Sequence, residues 1–308
     1  LVQVFPAKMI EDAQMTLTDD AKHLFFENDY NCLAVDEQDK FGLIKSKDIK
    51  DINLFYDNDF DNRITPLKKV LHEDTFKALQ QRLEAHHMPK GVAAIFYGAP
   101  GTGKTETVKQ LAKATGRSIF QVDISETKSC WVGESEKLVK EIFSKYKSAC
   151  KREKLKPILL FNEADGVLTK RAPADSNNPE VTQMQNAMQN IILEEMENLD
   201  GIMIATPNLH NNLDAAFERR FLYKVEFKKP DVEVKTRIWK DKMPSLSDDD
   251  ARRLSMAYDF SGGEIDNVVR KCVIEEVVND VNPTVDKIME FCSAEKFTSG
   301  SRRVGFAC

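Results

Sequence analysis

The sequence is short of several features that would point to other chemistries. It contains no C-x-x-C pair. Its six cysteines, Cys32, Cys130, Cys150, Cys272, Cys292 and Cys308, are scattered along 308 residues. That pattern excludes a disulfide frame and a zinc ribbon, and it fits free thiols in a reducing compartment. The histidines His23, His72, His86, His87 and His210 show no metal-ligand spacing, and the sequential pair His86-His87 cannot share a helix face. No apolar run approaches the roughly 18 to 20 residues of a membrane span. No secretory signal pattern opens the chain, so a cytoplasmic location is the expectation. Basic charge is not in excess: 44 Lys and Arg stand against 50 Asp and Glu, for a net charge of −6. Nucleic-acid binders more often carry a basic face, which makes nucleic acid an unlikely partner. No Ser/His/Asp or Cys/His constellation and no peptidase zinc motif occurs, and there is neither an internal repeat nor a low-complexity tract.

What is present is an ordinary soluble composition, 42% hydrophobic and 31% charged. At roughly 150 residues per domain the length suggests two domains. Residues 1–62 form an acidic, weakly patterned N-terminal extension in which no chemistry is visible. A helical piece is expected around Asp19–Glu27, and Tyr56-Asp-Asn-Asp-Phe-Asp-Asn62 reads as a loop or linker. Over residues 63–229, Leu67, Val70, Leu71, Phe76, Leu79 and Leu83 keep a helical period that predicts a helix from Pro66 to His87. Short apolar runs follow at Val92–Tyr97, Ser118–Asp123, Pro157–Phe161, Gly201–Ala205 and Tyr223–Phe227. They alternate with helical patterns at Lys104–Thr115, Glu134–Lys151 and Val181–Leu199. This predicts an α/β domain with a parallel five-stranded sheet and helices on both faces. Beyond Pro230 the strands stop. Val232–Lys242, Asp248–Tyr258, Gly263–Asp280 and Thr284–Glu295 predict a small all-helical domain over residues 230–308.

The strongest chemical signal is Gly98-Ala-Pro-Gly-Thr-Gly-Lys-Thr105. It has the G-x-x-x-x-G-K-[ST] spacing and lies between a predicted strand and a predicted helix, the context a P-loop requires. Glycines let backbone N–H groups face inward around phosphates, and the helix N-terminus adds a favourable dipole. The expected nucleotide cradle is Gly98, Pro100, Gly101, Thr102, Gly103, Lys104, Thr105 and Glu106, with ATP and Mg²⁺ as ligands. Lys104 would reach the β and γ phosphates and Thr105 would hold Mg²⁺. The second element is Ile158-Leu-Leu-Phe-Asn-Glu163, whose acidic end falls at the carboxyl edge of the sheet. Glu163 is well placed to polarise an attacking water. The residue before it is Asn162, where an aspartate usually orders the Mg²⁺ shell. Asparagine keeps a carbonyl oxygen but lacks the charge. Two readings follow: a weaker but working metal site at Thr105 and Asn162, or an ATP-binding protein with poor hydrolysis.

Further motifs follow in order: Trp131-Val-Gly-Glu-Ser-Glu136, Phe161-Asn-Glu-Ala-Asp165, Ile204-Ala-Thr-Pro-Asn208, Phe217-Glu-Arg-Arg-Phe221 and Phe260-Ser-Gly-Gly-Glu264. With them the chain resembles the AAA+ family, close to its protein-remodelling branch, over roughly residues 65 to 295. The resemblance implies a P-loop ATPase domain with a small helical lid. It also implies self-assembly into a ring, most often a hexamer, that hydrolyses ATP to remodel or thread a protein substrate. Asn208 would be the polar residue of the first sensor, although Pro207 stands where the family has Thr or Ser; a loop Asn capping a turn is the alternative. Arg219 and Arg220 match the arginine-finger segment that reaches a neighbour's ATP. They are adjacent where the family's longer form separates them by Pro-Gly, so the sequence does not say which points across, and a solvated surface pair is the alternative. Trp131, followed by Val132, matches the pore-loop aromatic that grips extended polypeptide, against an ordinary buried tryptophan. Gly262 lies in the small-residue turn that approaches the nucleotide base, with Ser261 as N-cap. An ATP-gated scaffold with weak hydrolysis and a DNA-directed AAA+ machine are the competing functions, the latter disfavoured by the acidic charge and the pore-loop aromatic.

Overall fold

The computed structural model describes residues 2–4, 15–17, 42–123, 135–170, 179–208 and 213–295. Strands β1 (Val2–Val4) and β2 (Met15–Leu17) pair antiparallel with each other. Strand β3 (Leu43–Ile44) precedes helices α1 (Phe60–Leu71) and α2 (Glu73–Ala85). The central domain continues through β4 (Val92–Gly98), α3 (Lys104–Thr115), β5 (Ile119–Asp123), α4 (Ser135–Arg152) and β6 (Ile158–Asn162). It ends with α5 (Asp165–Leu168), α6 (Pro179–Glu197), β7 (Ile202–Thr206), α7 (Ala215–Glu218) and β8 (Tyr223–Phe227). Four helices close the described chain: α8 (Val232–Lys242), α9 (Asp248–Ala257), α10 (Gly262–Asn279) and α11 (Val285–Glu295).

The apolar runs become strands because both faces of each are buried. In β6, Ile158 and Leu160 join the cluster under α1, α2 and α3, while Leu159 and Phe161 join the cluster under α4 and α6. The same alternation divides β4, with Ala94 and Phe96 on one side and Ala93 and Ile95 on the other. A strand covered twice has no polar face, which is why these runs lack alternation in the sequence. The sheet order is β3-β5-β6-β7-β4-β8, with β4 to β8 parallel as expected. The edge strand β3 is an addition from the N-terminal extension and runs antiparallel to β5. Strand β4 lies between β7 and β8, yet the chain leaving it crosses to β5 beyond β6. That change of direction opens a crevice at the carboxyl ends of the strands.

The single helix expected over Pro66–His87 is two helices. Helix α1 begins at Phe60, inside the stretch read as a linker, and the chain breaks at His72, which is extended at φ −68° and ψ 139°. The periodicity carries a trace of this break, because Leu71 and Phe76 are five residues apart, out of step with a helical face. Arg117, fully buried, holds the break together. Its guanidinium donates to the Leu71 carbonyl (2.8 Å), the Lys156 carbonyl (2.7 Å) and Glu73 Oε2 (2.9 Å), and it lies 5.1 Å from the Phe76 ring centroid. The carbonyl left over at the end of α1 and the carboxylate at the start of α2 are thus satisfied by one side chain.

The C-terminal helices have their own core, built on Trp239, Leu254, Phe260, Val268, Ile288 and Cys292. Asp231, Ser247 and Ser261 cap α8, α9 and α10, each accepting from a backbone N–H of the first turn. Replacing Arg117 with Met keeps most of the buried stem but orphans two carbonyls and leaves the Glu73 carboxylate with Lys77 alone. Chemical denaturation should show a loss of roughly 3 kcal/mol; a loss below about 1 kcal/mol would mean that the α1–α2 break does not depend on this side chain.

Candidate active site

The glycine-rich loop runs from the end of β4 into α3. Three of its residues must be glycine, the first being Gly98, where φ is +143° and a Cβ would come within 2.1 Å of the Phe227 carbonyl oxygen. Gly101 has φ +73°, and a Cβ there would come within 2.6 Å of Ser261 Oγ; Gly103 has φ +88° and forms the N-cap of α3. The lid touches the loop through its backbone, where Gly263 N–H donates to the Gly101 carbonyl at 2.9 Å. The capping box of α10, in which Ser261 and Glu264 satisfy each other's backbone N–H groups, fixes this turn.

Lys104 is buried, and its ammonium donates to the carbonyls of Gly98 (2.9 Å) and Ala99 (2.8 Å) and to Asn208 Oδ1 (2.9 Å). Burial lowers its pKa to about 8, against the opposing pull of the Asp165 carboxylate. Asp165 in turn orients Asn208, accepting from its backbone N–H at 2.8 Å and from its Nδ2 at 3.4 Å. Pro207 therefore leaves Asn208 within reach of the loop lysine.

Next to Lys104, Thr105 Oγ1 donates to Asn162 Oδ1 at 2.8 Å. Thr206 Oγ1 donates to the same oxygen at 3.1 Å, and Asn162 Nδ2 donates to Asp123 Oδ1 at 2.8 Å. Asp123, Asn162 and Thr206 are register partners across the ends of β5, β6 and β7. The Thr105 hydroxyl and the Asn162 carbonyl oxygen converge on one point beside the loop, and neutral oxygen donors suit a hard cation. These residues fit Mg²⁺. After β6 the backbone turns through the left-handed region at Glu163, φ +49°. This leaves the Glu163 side chain exposed at the crevice edge while Ala164 is fully buried.

Several expected residues lie elsewhere. Pro100 is on the exposed side of the loop. Glu106 borders the cavity described below, but its carboxylate engages its own helix, accepting from Gln110 Nε2 at 2.8 Å with Lys109 at 3.6 Å. The two arginines differ. Arg220 is tied within the chain, paired with Glu197 and donating to the Ala216 carbonyl at 2.8 Å, whereas Arg219 is exposed at the end of α7. Trp131 and Val132 lie outside the described residues, as does the helical piece expected around Asp19–Glu27.

One part of the site was not visible in the sequence. A cavity of about 480 Å³ opens beside the loop, between residues 52–60, Gly101–Gly103 and the lid residues Val234, Ile238, Gly262 and Gly263. Its lining joins apolar side chains such as Phe55, Phe60 and Ile238 with charged ones such as Glu106, Asp231 and Lys242. Tyr56 forms one wall. Its ring stacks on Phe60 at 3.8 Å between centroids, and its hydroxyl bonds Thr107 Oγ1 and reaches the Gly103 carbonyl at 3.4 Å. Burial pushes the Tyr56 phenol up to about 12. The same segment grips the lid: Arg237 donates to the Tyr56 carbonyl at 2.9 Å, and Asn53 donates to Asp241 at 2.7 Å. The Asp/Asn-rich composition around Tyr56 reads as solvent-exposed linker, and the lone aromatics Phe55, Tyr56 and Phe60 are the only signal against that reading.

A glycine loop, a buried lysine and a hydroxyl–amide pair at the carboxyl ends of a parallel sheet define a P-loop nucleotide-binding domain. Residues 94–229 match the family model described as ATPase family associated with various cellular activities (AAA), so the chain carries a domain of that family. The 26S proteasome regulatory subunit 4 homolog B of Arabidopsis thaliana is 34% identical over 191 residues, 58% of this chain and 40% of that protein. The proteasome-activating nucleotidase of Methanococcus vannielii is 31% identical over 250 residues, 78% of this chain and 56% of that protein. The chain therefore spans about half the length, or less, of these relatives. A solved structure of the FIGL-1 AAA domain in complex with ADP shares the fold, with TM-score 0.58 and 19% identity, covering 89% of this chain and 92% of that one.

The depressed pKa of Lys104 links binding to pH. Phosphates favour its charged form, so above pH 8 the free protein must take up a proton to bind. Nucleotide affinity should be constant between pH 7 and 7.5 and fall as pH rises through about 8. Calorimetric titration with ADP across pH 7 to 9.5 checks this, and an affinity flat over that range would remove Lys104 as the linked group.

Proposed function

We propose that the chain binds ATP with Mg²⁺ and hydrolyses it to ADP and phosphate. The observation that carries this reading is the convergence of Lys104, the Thr105–Asn162 pair, Glu163 and Asn208 at one end of the sheet, beside a cavity of base size. Lys104 would exchange its loop carbonyls for phosphate oxygens and neutralise them. Mg²⁺, held at Thr105 and Asn162, would spread the remaining phosphate charge. Glu163, exposed at the crevice edge, takes a proton from the attacking water. The water oxygen then bonds to the γ-phosphorus as the bond to ADP breaks. Asn208, aimed by Asp165, orients that water or the γ-phosphate. The adenine would sit in the cavity between Tyr56 and the lid turn at Gly262. In this reading residues 63–229 are the ATPase domain and 230–308 the lid, and the end of the 1–62 extension forms the third wall of the pocket.

The reaction is completed by a second copy of the chain. Arg219 is exposed and unclaimed by any described partner, which supports it over Arg220 as the residue that reaches a neighbour's ATP. A finger in trans requires an oligomer, and a hexameric ring is the arrangement we propose. Kinship with proteasome regulatory ATPases supports remodelling or threading of a protein substrate, with Trp131 and Val132 as the gripping residues. We place this activity in the cytoplasm. A nucleotide-gated scaffold with slow turnover is the second reading, favoured by Asn162, which lacks the charge of an aspartate.

Glu163→Gln should lower turnover by roughly 10² to 10³-fold while ATP binding persists; equal turnover in the two proteins would end the role of Glu163. Arg219→Ala should assemble with ATP, as seen by light scattering, yet lose turnover by a factor of about 10³. If Arg220→Ala rather than Arg219→Ala shows that separation, the assignment reverses.

A further inference from the structure

The negative charge that Asn162 lacks is present one strand away. Asp123 ends β5 and is the register partner of Asn162 at the end of β6. Its Oδ1 accepts from Asn162 Nδ2 at 2.8 Å, and its Oδ2 accepts from Gln121 Nε2 at 3.0 Å. An amide has one accepting end and one donating end, and only the oxygen end suits a cation. An asparagine with no constraint could turn either end toward Thr105. An ionised carboxylate only accepts, so Asp123 claims the NH₂ end and leaves the oxygen facing Thr105. The two hydroxyls agree with this choice, since Thr105 and Thr206 both donate to Asn162 Oδ1, at 2.8 and 3.1 Å. Reversing the amide would set its oxygen against the carboxylate, 2.8 Å apart, and break that hydrogen bond.

We infer that Asp123 is the positioning residue of the metal site: its carboxylate holds the Asn162 amide with the oxygen toward Thr105 and supplies, through that hydrogen bond, the negative charge an aspartate at 162 would have carried. A hydrogen bond from the amide NH₂ to a carboxylate polarises the amide and makes its oxygen a stronger donor to a cation. The pair Asp123–Asn162 thus does together what one carboxylate on β6 would do alone. The inference rests on the proposed reading of Thr105 and Asn162 as the Mg²⁺ ligands.

The test measures binding rather than turnover. A fluorescent, non-hydrolysable ATP analogue is titrated into the full chain in Mg²⁺ and in EDTA, and the ratio of the two affinities is the gain due to the metal. Asp123→Asn keeps the size and an acceptor but loses the charge, while Asp123→Ala loses both and frees the amide. The gain should fall roughly 10- to 100-fold in Asp123→Ala and by part of that in Asp123→Asn, with the affinity in EDTA unchanged. The exchange Asp123→Asn with Asn162→Asp returns the carboxylate to β6, keeps the hydrogen bond in reverse, and should restore the gain. A full gain in Asp123→Ala, an equal loss in EDTA, or an exchange no better than Asp123→Asn would each overturn the inference. A wild-type chain with no gain at all would instead overturn the metal-site reading beneath it.

Discussion

A primary ammonium buried at the end of a sheet has to be surrounded by oxygen, and the site is organised around meeting that demand for Lys104. Water is largely excluded there, so the protein supplies three acceptors: two carbonyls of the glycine loop and the Asn208 amide. The loop turns the carbonyls of Gly98 and Ala99 inward, and Gly98, Gly101 and Gly103 take positive φ angles that side chains disfavour. Asn208 can present its oxygen only because Asp165 holds its backbone and its NH₂ group. The cost of burying the charge is visible in its lowered pKa. In the proposed function such an ammonium would exchange these acceptors for phosphate oxygens, which are stronger acceptors than carbonyls.

The same logic of shared acceptors governs the cation side. Asn162 sits between two hydroxyl donors and a carboxylate, and each partner comes from a different element: α3, β7 and β5. No single stretch of chain contains this arrangement. It exists because parallel strands in register bring their last residues into one row. The loss of a charge on one strand is met by a carboxylate on the next, at a separation that only sheet geometry provides.

The base side of the pocket depends on a bridge. Residues 52–60 bond both the P-loop helix, through Tyr56 and Thr107, and the lid, through Arg237 and Asp241. The Gly101–Gly263 backbone bond makes a second tie between the two bodies. Residues 52–60, the glycine loop and the C-terminal helices therefore border one cavity and touch each other directly.

Much of this was legible from residue order alone. The P-loop, the five parallel strands, the four C-terminal helices and the placement of Glu163 and Asn208 at the end of the sheet follow from local pattern, because phosphate binding needs glycines beside a lysine and a twice-buried strand needs an unbroken apolar run. The helix break at His72 was masked by a periodicity that almost continues through it, and its stabiliser, Arg117, is 45 positions from His72 in sequence. The wall formed by Tyr56 was hidden because its neighbours are Asp and Asn, whose composition says linker while three aromatics pack inward. Residue order alone set out the groups on offer: a glycine loop ending in a lysine, a glutamate after a buried strand, two adjacent arginines, and an asparagine beside that glutamate. Which of these groups meet depends on the fold. It separated a tethered Arg220 from an exposed Arg219, turned residues 52–60 into a wall of the pocket, and set Asp123 against Asn162. Those outcomes depend on contacts between distant segments, and strand order and register, not proximity along the chain, determine which segments touch.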